Sequence, residues 1–347
     1  MAEHKVLITG GAGFFGELLK MELLARGYRC VSLDLEPDPT RHANLTVVQG
    51  DIRDRELLER IAGQHRFTAV FHLAAVLAHA TGDRDFLWTN NVDGTRNIAE
   101  LACLHRIPRV IFLSSNCLWG ESLHRPVTEE DTPRPVELYG QSKWEAEKIL
   151  LLHQDSFASI IIRCPTIVDA GRLGLLAILF EFIDEGRRVW VVGGGENRYQ
   201  FIYAGDLIDA CLKSLDYSGT EIFNIGADRV PTFAEMYREV IAQAGTGARV
   251  ASVPRCLALP LLRLAHHLKL SPLGPYQYKM IAEDFSFATG KIKRSLHWQP
   301  TLTNQEMLFE AYRYYRDNRD EIQGRKGCSP HKRAAGMGIL RLLKWLS

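Results

Sequence analysis

Short runs of β-branched and other apolar residues alternate along the first half of the chain with longer segments in which apolar residues recur every three or four positions. The short runs predict six strands, at Lys5–Thr9, Arg29–Leu35, Leu45–Gly50, Ala69–Leu73, Arg109–Ser114 and Ser159–Cys164. The longer segments predict helices, at Phe14–Arg26, Arg53–Gln64, Asp83–His105 and Glu137–Leu152. Strands that alternate with helices are typical of a parallel sheet covered on both faces. The pattern therefore predicts an α/β fold with a doubly wound parallel sheet.

The pattern changes after Pro165, where strands and helices no longer alternate regularly. A long apolar helical stretch runs from Leu173 to Phe182, and strand-like runs follow at Phe201–Tyr203 and Glu221–Ile225. A segment rich in Pro and Leu then extends from Val253 to Pro275. We therefore expect a smaller C-terminal substrate domain that closes over the sheet.

This organisation predicts two domains and a tail. Residues 1–165 with 201–226 would form the sheet domain, and residues 166–200 with 227–323 the substrate domain. Residues 324–347 are basic, contain no acidic residue and end in an amphipathic run. Such a segment can make peripheral contact with an anionic membrane. Isolated helices shorter than about 12–15 residues are marginal in water, so a disordered tail, or a tail docked on the protein itself, is the favoured interpretation.

Composition excludes several classes of protein. The 347 residues are 46% apolar and 24% charged, which is ordinary for a globular protein of two domains. The formal charge of +1 gives no field that attracts nucleic acid. The seven scattered cysteines include no C-x-x-C pair, so we predict no metal site and a reducing compartment. Without a signal peptide or a long apolar run, the sequence predicts a cytoplasmic protein.

A glycine-rich turn follows the first predicted strand. Residues 10–16 read Gly-Gly-Ala-Gly-Phe-Phe-Gly, and a predicted helix begins within them. In this setting Gly10 permits a tight turn, Gly13 lets the backbone approach a pyrophosphate, and Gly16 allows close helix–strand packing. Such a strand–turn–helix unit indicates a Rossmann dinucleotide-binding domain.

Asp34 is the acidic residue that this kind of domain requires. It lies at the end of the second predicted strand, close to the offset of roughly 20 residues at which an acidic side chain binds the ribose hydroxyls of NAD. A carboxylate there repels the additional phosphate of NADP. The sequence therefore predicts NAD as the cofactor, and a solvated strand-end aspartate is the alternative.

Tyr139 and Lys143 form a Tyr-x-x-x-Lys pattern, which places the phenol and the ammonium on one helix face. A cation about 4 Å away stabilises a phenolate by roughly 4 kcal/mol at an effective dielectric constant of 20. Because one pKa unit is about 1.4 kcal/mol, the tyrosine pKa can fall by more than one unit. Ser115 lies at the carboxyl end of a predicted parallel strand, where such sheets bind ligands. These three residues predict a proton-transfer site.

With these motifs together, the sequence resembles the extended short-chain dehydrogenase/reductase family, specifically its NAD-dependent epimerase/dehydratase branch. The resemblance reaches to about Gln305. The segments that carry it are Thr9–Gly16, Gly50–Ile52, His72–Ala75, Asn91–Thr95, Ser114–Ser115, Tyr139–Lys143, Phe223–Gly226 and Leu296–Pro300.

The resemblance implies roles for individual residues. Tyr139 would be the general acid/base, Lys143 would lower its pKa and hold the nicotinamide ribose, and Ser115 would hydrogen-bond the reacting oxygen. Asn91 would complete a proton relay. The implied cofactor-binding residues are Gly10, Gly13, Phe14, Phe15, Gly16, Asp34, Asp51, Ile52, Leu73, Ala74, Ala75, Tyr139, Lys143, Cys164 and Thr166. A homodimer is also expected.

The sequence departs from the family where the substrate would bind. Asn116 and Cys117 follow Ser115 at positions where dehydratases and decarboxylases have acidic residues, so we expect no dehydration. Thr166 and Tyr199 stand where UDP-sugar epimerases have asparagine and arginine. The segment 193–203 is also similar to that of hydroxysteroid-type dehydrogenases, which act on apolar alcohols.

These departures leave the substrate open. Asn116, Arg163 and Arg198 are the predicted substrate-binding residues. The two arginines can bind an anionic group, and the alternative is that their guanidinium groups are simply solvated at the ends of strands. We predict an NAD-dependent epimerase or oxidoreductase acting on a secondary alcohol, with a ring hydroxyl of a nucleotide-activated sugar as first choice. An oxidoreductase of apolar alcohols is the second interpretation, and a non-catalytic NAD-sensing protein is the third.

Overall fold

The computed structural model describes residues 4–77, 82–268 and 280–324. The strands are β1 (Lys5–Thr9), β2 (Arg29–Asp34), β3 (Leu45–Gln49), β4 (Ala69–His72), β5 (Arg109–Ser115), β6 (Ala158–Cys164), β7 (Thr166–Val168), β8 (Arg188–Val192), β9 (Phe201–Tyr203), β10 (Glu221–Asn224) and β11 (Arg249–Val253). The helices are α1 (Phe14–Ala25), α2 (Arg55–Gln64), α3 (Arg84–Trp88), α4 (Gly94–Leu104), α5 (Leu138–Leu151), α6 (Leu176–Asp184), α7 (Ala204–Lys213), α8 (Phe233–Ala244), α9 (Arg255–His267), α10 (Gly290–Leu296), α11 (Asn304–Asp317) and α12 (Arg319–Gly324). From residue 325 onward, the predicted basic tail lies outside the described residues.

Seven strands form one parallel sheet, in the order β10-β6-β5-β4-β1-β2-β3. The predicted doubly wound parallel sheet is therefore confirmed, with one strand more than the six that the first half of the chain predicts. The additional strand is β10, which pairs with β6 so that Phe223 lies opposite Ile162.

The sheet has an apolar core on each face. Alternate side chains of a strand point to opposite faces, so Val6 and Ile8 pack with α1 and α7, whereas Leu7 packs with α2, α4 and α5. The central strands are apolar along nearly their whole length because both faces are covered. This layering leaves the loops at the carboxyl ends of the strands free to bind a ligand.

The predicted helix Asp83–His105 is interrupted in the structure. A π-helical turn at Thr89–Asp93 separates α3 from α4. Gly94 begins α4 next to Ile52, where an added Cβ would lie 2.4 Å from the Ile52 Cδ1 atom. Such turns insert one residue into the helical repeat and occur often at functional sites. Here the turn buries Asn91.

A third apolar core lies in the C-terminal part of the chain and is formed mainly by α6, α8 and α11. Two small parallel sheets accompany it, β8 with β11 and β7 with β9. The run Phe201–Tyr203 thus pairs with β7, whereas the run Glu221–Ile225 supplies a strand of the large sheet. Within the ranges that the structure describes, no helix is both long and apolar enough to span a bilayer.

Candidate active site

The order of the sheet reverses between β1 and β4, so the loops that follow these two strands leave a crevice at the carboxyl edge. The loop after β1 begins at Gly10, which has a φ of 77° and donates its N–H to the Leu33 carbonyl at 2.8 Å. An added Cβ at Gly10 would lie 2.7 Å from the Ala74 nitrogen. Backbone N–H groups of Leu73 and Ala74 donate to Thr9 at 3.1 and 3.3 Å. The predicted cofactor-binding residues of both loops therefore lie together.

The remaining glycines of the turn have different surroundings. A Cβ added at Gly16 would lie 2.0 Å from the Gly10 carbonyl oxygen, so this position is filled by the protein itself. A Cβ added at Gly13 would meet only the Gly10 oxygen, at 3.2 Å. No side chain caps the first turn of α1, which begins with Phe14 and Phe15. The space beside Gly13 and the uncapped N–H groups of α1 fit a pyrophosphate.

Asp34 lies at the end of β2 and contacts the glycine-rich turn directly. Its Oδ2 accepts a hydrogen bond from the Ala12 N–H at 2.9 Å, and its Oδ1 accepts from the Glu36 N–H at 3.0 Å. The carboxylate is therefore held beside the turn and remains partly exposed. This is the position that the sequence predicts for binding a ribose.

The loop after β3 holds Asp51 and Ile52. Asp51 accepts from the Arg53 guanidinium, with Nη2 and Oδ2 2.6 Å apart, and these hydrogen bonds lower the Asp51 pKa although burial raises it. Ile52 is buried against Gly94, and Ala75, after β4, is exposed toward solvent.

A buried ion pair, which the sequence pattern does not indicate, lies beneath the glycine-rich turn. Lys20 is fully buried, forms an ion pair with Asp38 and donates to the Gly11 carbonyl at 3.1 Å. Burial raises the Asp38 pKa, but hydrogen bonds led by that from Lys20 outweigh it and lower the pKa to about 2. The sequence feature that could indicate this ion pair is Lys20 itself, because it lies between Leu19 and Leu23 on the face of α1 that packs against the sheet.

Tyr139 and Ser115 meet because α5 approaches the 3-10 turn at residues 116–118 closely. An added Cβ at Gly140 would lie 2.2 Å from the Cys117 carbonyl oxygen, so only glycine permits this approach. Tyr139, in the first turn of α5, then lies beside Ser115, whose hydroxyl lowers the Tyr139 pKa. The structure thus brings together the predicted phenol and hydroxyl.

The phenol is surrounded by groups that act on its charge in opposite directions. Burial raises the Tyr139 pKa well above its ordinary value, whereas the Ser115 hydroxyl and the positive charge of Arg172 lower it. Arg172 was not among the predicted site residues. It follows β7 in a segment where the sequence pattern indicates neither strand nor motif.

Lys143 is buried one helical turn after Tyr139. Its Nζ lies 3.9 Å from the centre of the Phe112 ring, and burial lowers its pKa to about 8. The same phenyl ring stacks on His72, whose two ring nitrogens lie 2.8 and 2.9 Å from the hydroxyls of Thr9 and Thr95. Burial also lowers the His72 pKa, to about 3, so the imidazole is neutral and adds no repulsion to Lys143.

Asn91 holds two parts of the crevice together. Its side-chain oxygen accepts from the Val76 N–H at 2.7 Å, while its amide donates to the Val76 carbonyl at 3.0 Å and to the Ser142 hydroxyl at 2.9 Å. The side chain therefore fastens the segment after β4 to α5. These contacts give Asn91 a positioning role close to the predicted proton-transfer residues.

Cys164 and Thr166 lie at the carboxyl end of β6 and the start of β7, at the same edge of the sheet. Cys164 is buried, its thiol donates to the Ser114 carbonyl at 3.3 Å, and burial raises its pKa to about 12. The thiol is thus protonated at neutral pH. Thr166 is half-buried and lies opposite Phe201 in the small sheet.

The predicted substrate-binding residues have three different environments. Asn116 is buried and donates its amide to the Tyr199 hydroxyl. Arg163 is also buried and forms an ion pair with Glu147, with Nη2 and Oε2 2.7 Å apart, so its charge is compensated. Arg198 is exposed and donates to a backbone carbonyl at 2.6 Å. Of the three, Asn116 directly follows the predicted catalytic serine.

A cleft of about 620 Å³ lies between the loop after β5, at residues 121–124, and the C-terminal part of the chain. None of the predicted proton-transfer or cofactor-binding residues lines it. A narrower hollow containing Trp119 and Tyr199 adjoins it and shares four of its residues. The walls of the larger cleft are mainly charged and polar. The cleft is lined by Glu121, Ser122, His124, Val192, Gly193, Glu196, Asn197, Arg255, Arg263, Ala282, Glu283 and Asp284.

Comparison with known proteins gives matches over most of the chain. The sequence model of the NAD dependent epimerase/dehydratase family matches residues 6–226. An uncharacterized protein of Sinorhizobium fredii is 35% identical over 98% of this chain and 85% of its own length. UDP-glucose 4-epimerase 2 of Oryza sativa is 34% identical over 72% of this chain and 72% of its own length. The crystal structure of a Thermotoga maritima UDP-glucose 4-epimerase with UDP-glucose, at 23% identity, covers 90% of this chain and 99% of that chain with a TM-score of 0.76, and has the same fold.

Proposed function

Because the chain belongs to the NAD-dependent epimerase/dehydratase family, we propose that it is an NAD-dependent epimerase acting on a ring hydroxyl of a nucleotide-activated sugar. The main support for this proposal is that the glycine-rich turn and the predicted proton-transfer residues lie at the same edge of the sheet. The glycine-rich turn with Gly13 follows β1, and Tyr139 and Ser115 lie beside each other at the end of β5. The relatives named as UDP-glucose 4-epimerases support the choice of substrate.

The crevice fits NAD. The space at Gly13 would take the pyrophosphate, Asp34 the adenosine ribose, and the exposed Ala75 side of the crevice a flat ring. Lys143 would hold the nicotinamide ribose. When bound, NAD supplies the hydride acceptor and, on reversal, the hydride donor.

The protein's own groups would move the proton. Tyr139 accepts the proton of the substrate hydroxyl at its phenolic oxygen, and Ser115 orients that hydroxyl by a hydrogen bond. Burial keeps the phenol protonated in the free protein, so positive charge must act on it during the reaction. Arg172 acts on the phenol in the free protein, while Lys143, one helical turn further along α5, and a charged nicotinamide would supply positive charge during the reaction.

The polar cleft beside residues 121–124 would hold the rest of the substrate. Arg255 and Arg263 line it and can bind a diphosphate, while the carboxylates at Glu283 and Asp284 can accept from sugar or ribose hydroxyls. The missing acidic residues after Ser115 disfavour a dehydratase. An epimerase needs no group beyond the proton-transfer set, because the same tyrosine returns the proton.

The test is incubation of the protein and NAD with a panel of UDP- and dTDP-hexoses, followed by NMR of the sugar ring protons. We expect conversion between two epimers without accumulation of NADH, and none with the Tyr139→Phe variant, which should retain NAD binding. Net NADH formation would instead identify a dehydrogenase. Turnover of a sterol or polyprenoid alcohol, with no turnover of any nucleotide sugar, would contradict the proposed substrate.

Two further expectations concern contacts outside the active site. The homodimer that the resemblance implies and the contact of the basic tail with an anionic membrane stay predictions. Analytical ultracentrifugation and co-sedimentation with phosphatidylserine vesicles are the measurements that decide them.

A further inference from the structure

Arg172 lies in the segment between β7 and α6, beside the active-site crevice. Its backbone N–H donates to the Asp169 carbonyl at 3.0 Å, and the preceding Gly171 has a φ of 81°. This tight turn places the Arg172 guanidinium carbon 5.7 Å from the centre of the Phe14 ring. Phe14 is the first residue of α1, where the glycine-rich turn ends.

The charge of Arg172 has no acidic partner among the described residues. Lys20, Arg53 and Arg163 each pair with a carboxylate, whereas no hydrogen bond or ion pair of the Arg172 side chain occurs within residues 4–77, 82–268 and 280–324. Burial lowers the Arg172 pKa to about 10, so the guanidinium is charged at neutral pH, and its side chain is half-buried. A partly desolvated cation without a carboxylate partner is less stable in the free protein, and an anion that binds beside it offsets this cost.

We propose that Arg172 is an anion-binding residue of the active-site crevice, whose guanidinium binds the phosphoryl oxygens of a diphosphate. A guanidinium matches two phosphoryl oxygens with two parallel hydrogen bonds. The pyrophosphate of NAD is the favoured source, because Phe14 belongs to the helix N-terminus where that group would lie. The diphosphate of the sugar nucleotide is the other source of the same chemistry.

This inference rests on the proposed function, since it requires a dinucleotide in the crevice. It also changes the expectation from the sequence, which named Arg163 and Arg198 for binding an anion. Arg163 is neutralised by Glu147, and Arg198 is exposed to solvent. Arg172 is the arginine whose charge also acts on Tyr139, so a bound diphosphate would lie close to the reacting groups.

The experiment compares Arg172→Gln and Arg172→Lys with Arg96→Gln, a control on the exposed surface of α4. Calorimetry gives the Kd for NAD, ADP-ribose, AMP and UDP, and thermal unfolding gives the Tm of each free protein. We expect Arg172→Gln to weaken the binding of NAD and ADP-ribose about 10- to 100-fold, because charge-assisted hydrogen bonds contribute free energies of this magnitude. The binding of AMP should change little. The NAD and ADP-ribose affinities of Arg172→Lys should lie between those of the wild type and of Arg172→Gln. The free Arg172→Gln protein should have a Tm equal to or higher than that of the wild type.

Each other outcome has a definite meaning. Weaker UDP binding with unchanged NAD binding supports the anion site and assigns it to the substrate diphosphate. Unchanged affinity for all four ligands overturns the inference, and so does a lower Tm without a loss of affinity, which indicates a structural residue. If the wild-type protein binds no NAD, the proposed function itself fails, and this result is separate from any effect of the variants.

Discussion

The Lys20 ammonium and the Asp38 carboxylate form an ion pair with side-chain exposures of 0% and 2%. Lys20 also donates to the Gly11 carbonyl, while Asp38 accepts from the Ser32 hydroxyl at 2.8 Å and the Thr40 N–H at 3.0 Å. The pair therefore joins the turn after β1 to the loop after β2. Both segments carry residues that would bind NAD, so the ion pair fixes their relative position.

The first prediction is that Lys20→Met destabilises the protein strongly. The substitution leaves the Asp38 carboxylate buried without its cation, which typically costs about 3–5 kcal/mol. Denaturant unfolding measures the change in free energy of unfolding. The control is Lys213→Met, which removes an exposed ion pair on α7 and should cost less than about 1 kcal/mol.

A double variant separates the lost pair from lost packing. Lys20→Met combined with Asp38→Leu removes both charges, and we expect it to recover much of the stability. If Lys20→Met changes stability no more than Lys213→Met, the ion pair does not support the fold as described.

The second prediction concerns acid unfolding. The Asp38 pKa is about 2 in the folded protein and near 3.8 in the unfolded chain. A carboxyl group with a lowered folded-state pKa stabilises the protein above pH 4, and this contribution is lost as the pH falls toward 2. The loss is about 2 kcal/mol. Asp38→Asn should be less stable at neutral pH but show a shallower decline between pH 4 and pH 2, and equal slopes would contradict the assignment.

The sheet could be predicted because its strands are short, apolar and separated by helical periodicity. The family match confirms the resemblance that the glycine turn, Tyr139 and Lys143 indicate. The interruption of the helix at Thr89–Asp93 could not be predicted, since an inserted residue leaves the three- to four-residue spacing nearly unchanged. Pairing of β9 with β7 depends on contacts between distant segments, which a local pattern does not contain.

In the candidate site, too, some residues could be predicted from the sequence and others depend on tertiary contacts. Asp34 and Ser115 could be located because each ends a strand of a parallel sheet. Lys20 and Arg172 could not be assigned from spacing, because their importance depends on what surrounds their charge in the folded chain. The environment of Arg163 is a tertiary property too, since its partner Glu147 comes from a different element, α5.

The third prediction distinguishes the two glycines of the turn. Gly13→Ala brings its Cβ to 3.2 Å from the Gly10 carbonyl oxygen, a close contact that a small backbone shift relieves, so the Tm should fall only slightly while NAD affinity falls by at least about tenfold. Gly16→Ala places its Cβ against the Gly10 carbonyl and should lower the Tm strongly. Thermal unfolding and NAD calorimetry check both. NAD binding by Gly13→Ala as tight as in the wild type would contradict the proposed pyrophosphate position.

The fourth prediction concerns the choice of cofactor. Asp34 should make NAD bind at least about tenfold more tightly than NADP, because its charge repels the additional phosphate. Asp34→Asn keeps an oxygen that can accept from the Ala12 N–H but removes the charge. Asp34→Asn should therefore reduce the preference for NAD over NADP mainly by improving NADP binding. Asp34→Ala should also weaken NAD binding. Titrations of the wild type with equal or tighter NADP binding would refute the role of Asp34.

The last prediction concerns Lys143. Because burial lowers its pKa to about 8, the ammonium is charged below pH 8 in the free protein and becomes neutral as the pH rises above 8. If the charged form holds the nicotinamide ribose, the Kd for NAD should rise by up to about tenfold between pH 7 and pH 9. Arg172 stays charged over this range, since its pKa is about 10, so the change reports Lys143. Lys143→Met should bind NAD weakly and without this pH dependence, and a variant that keeps the wild-type profile would show that another group titrates.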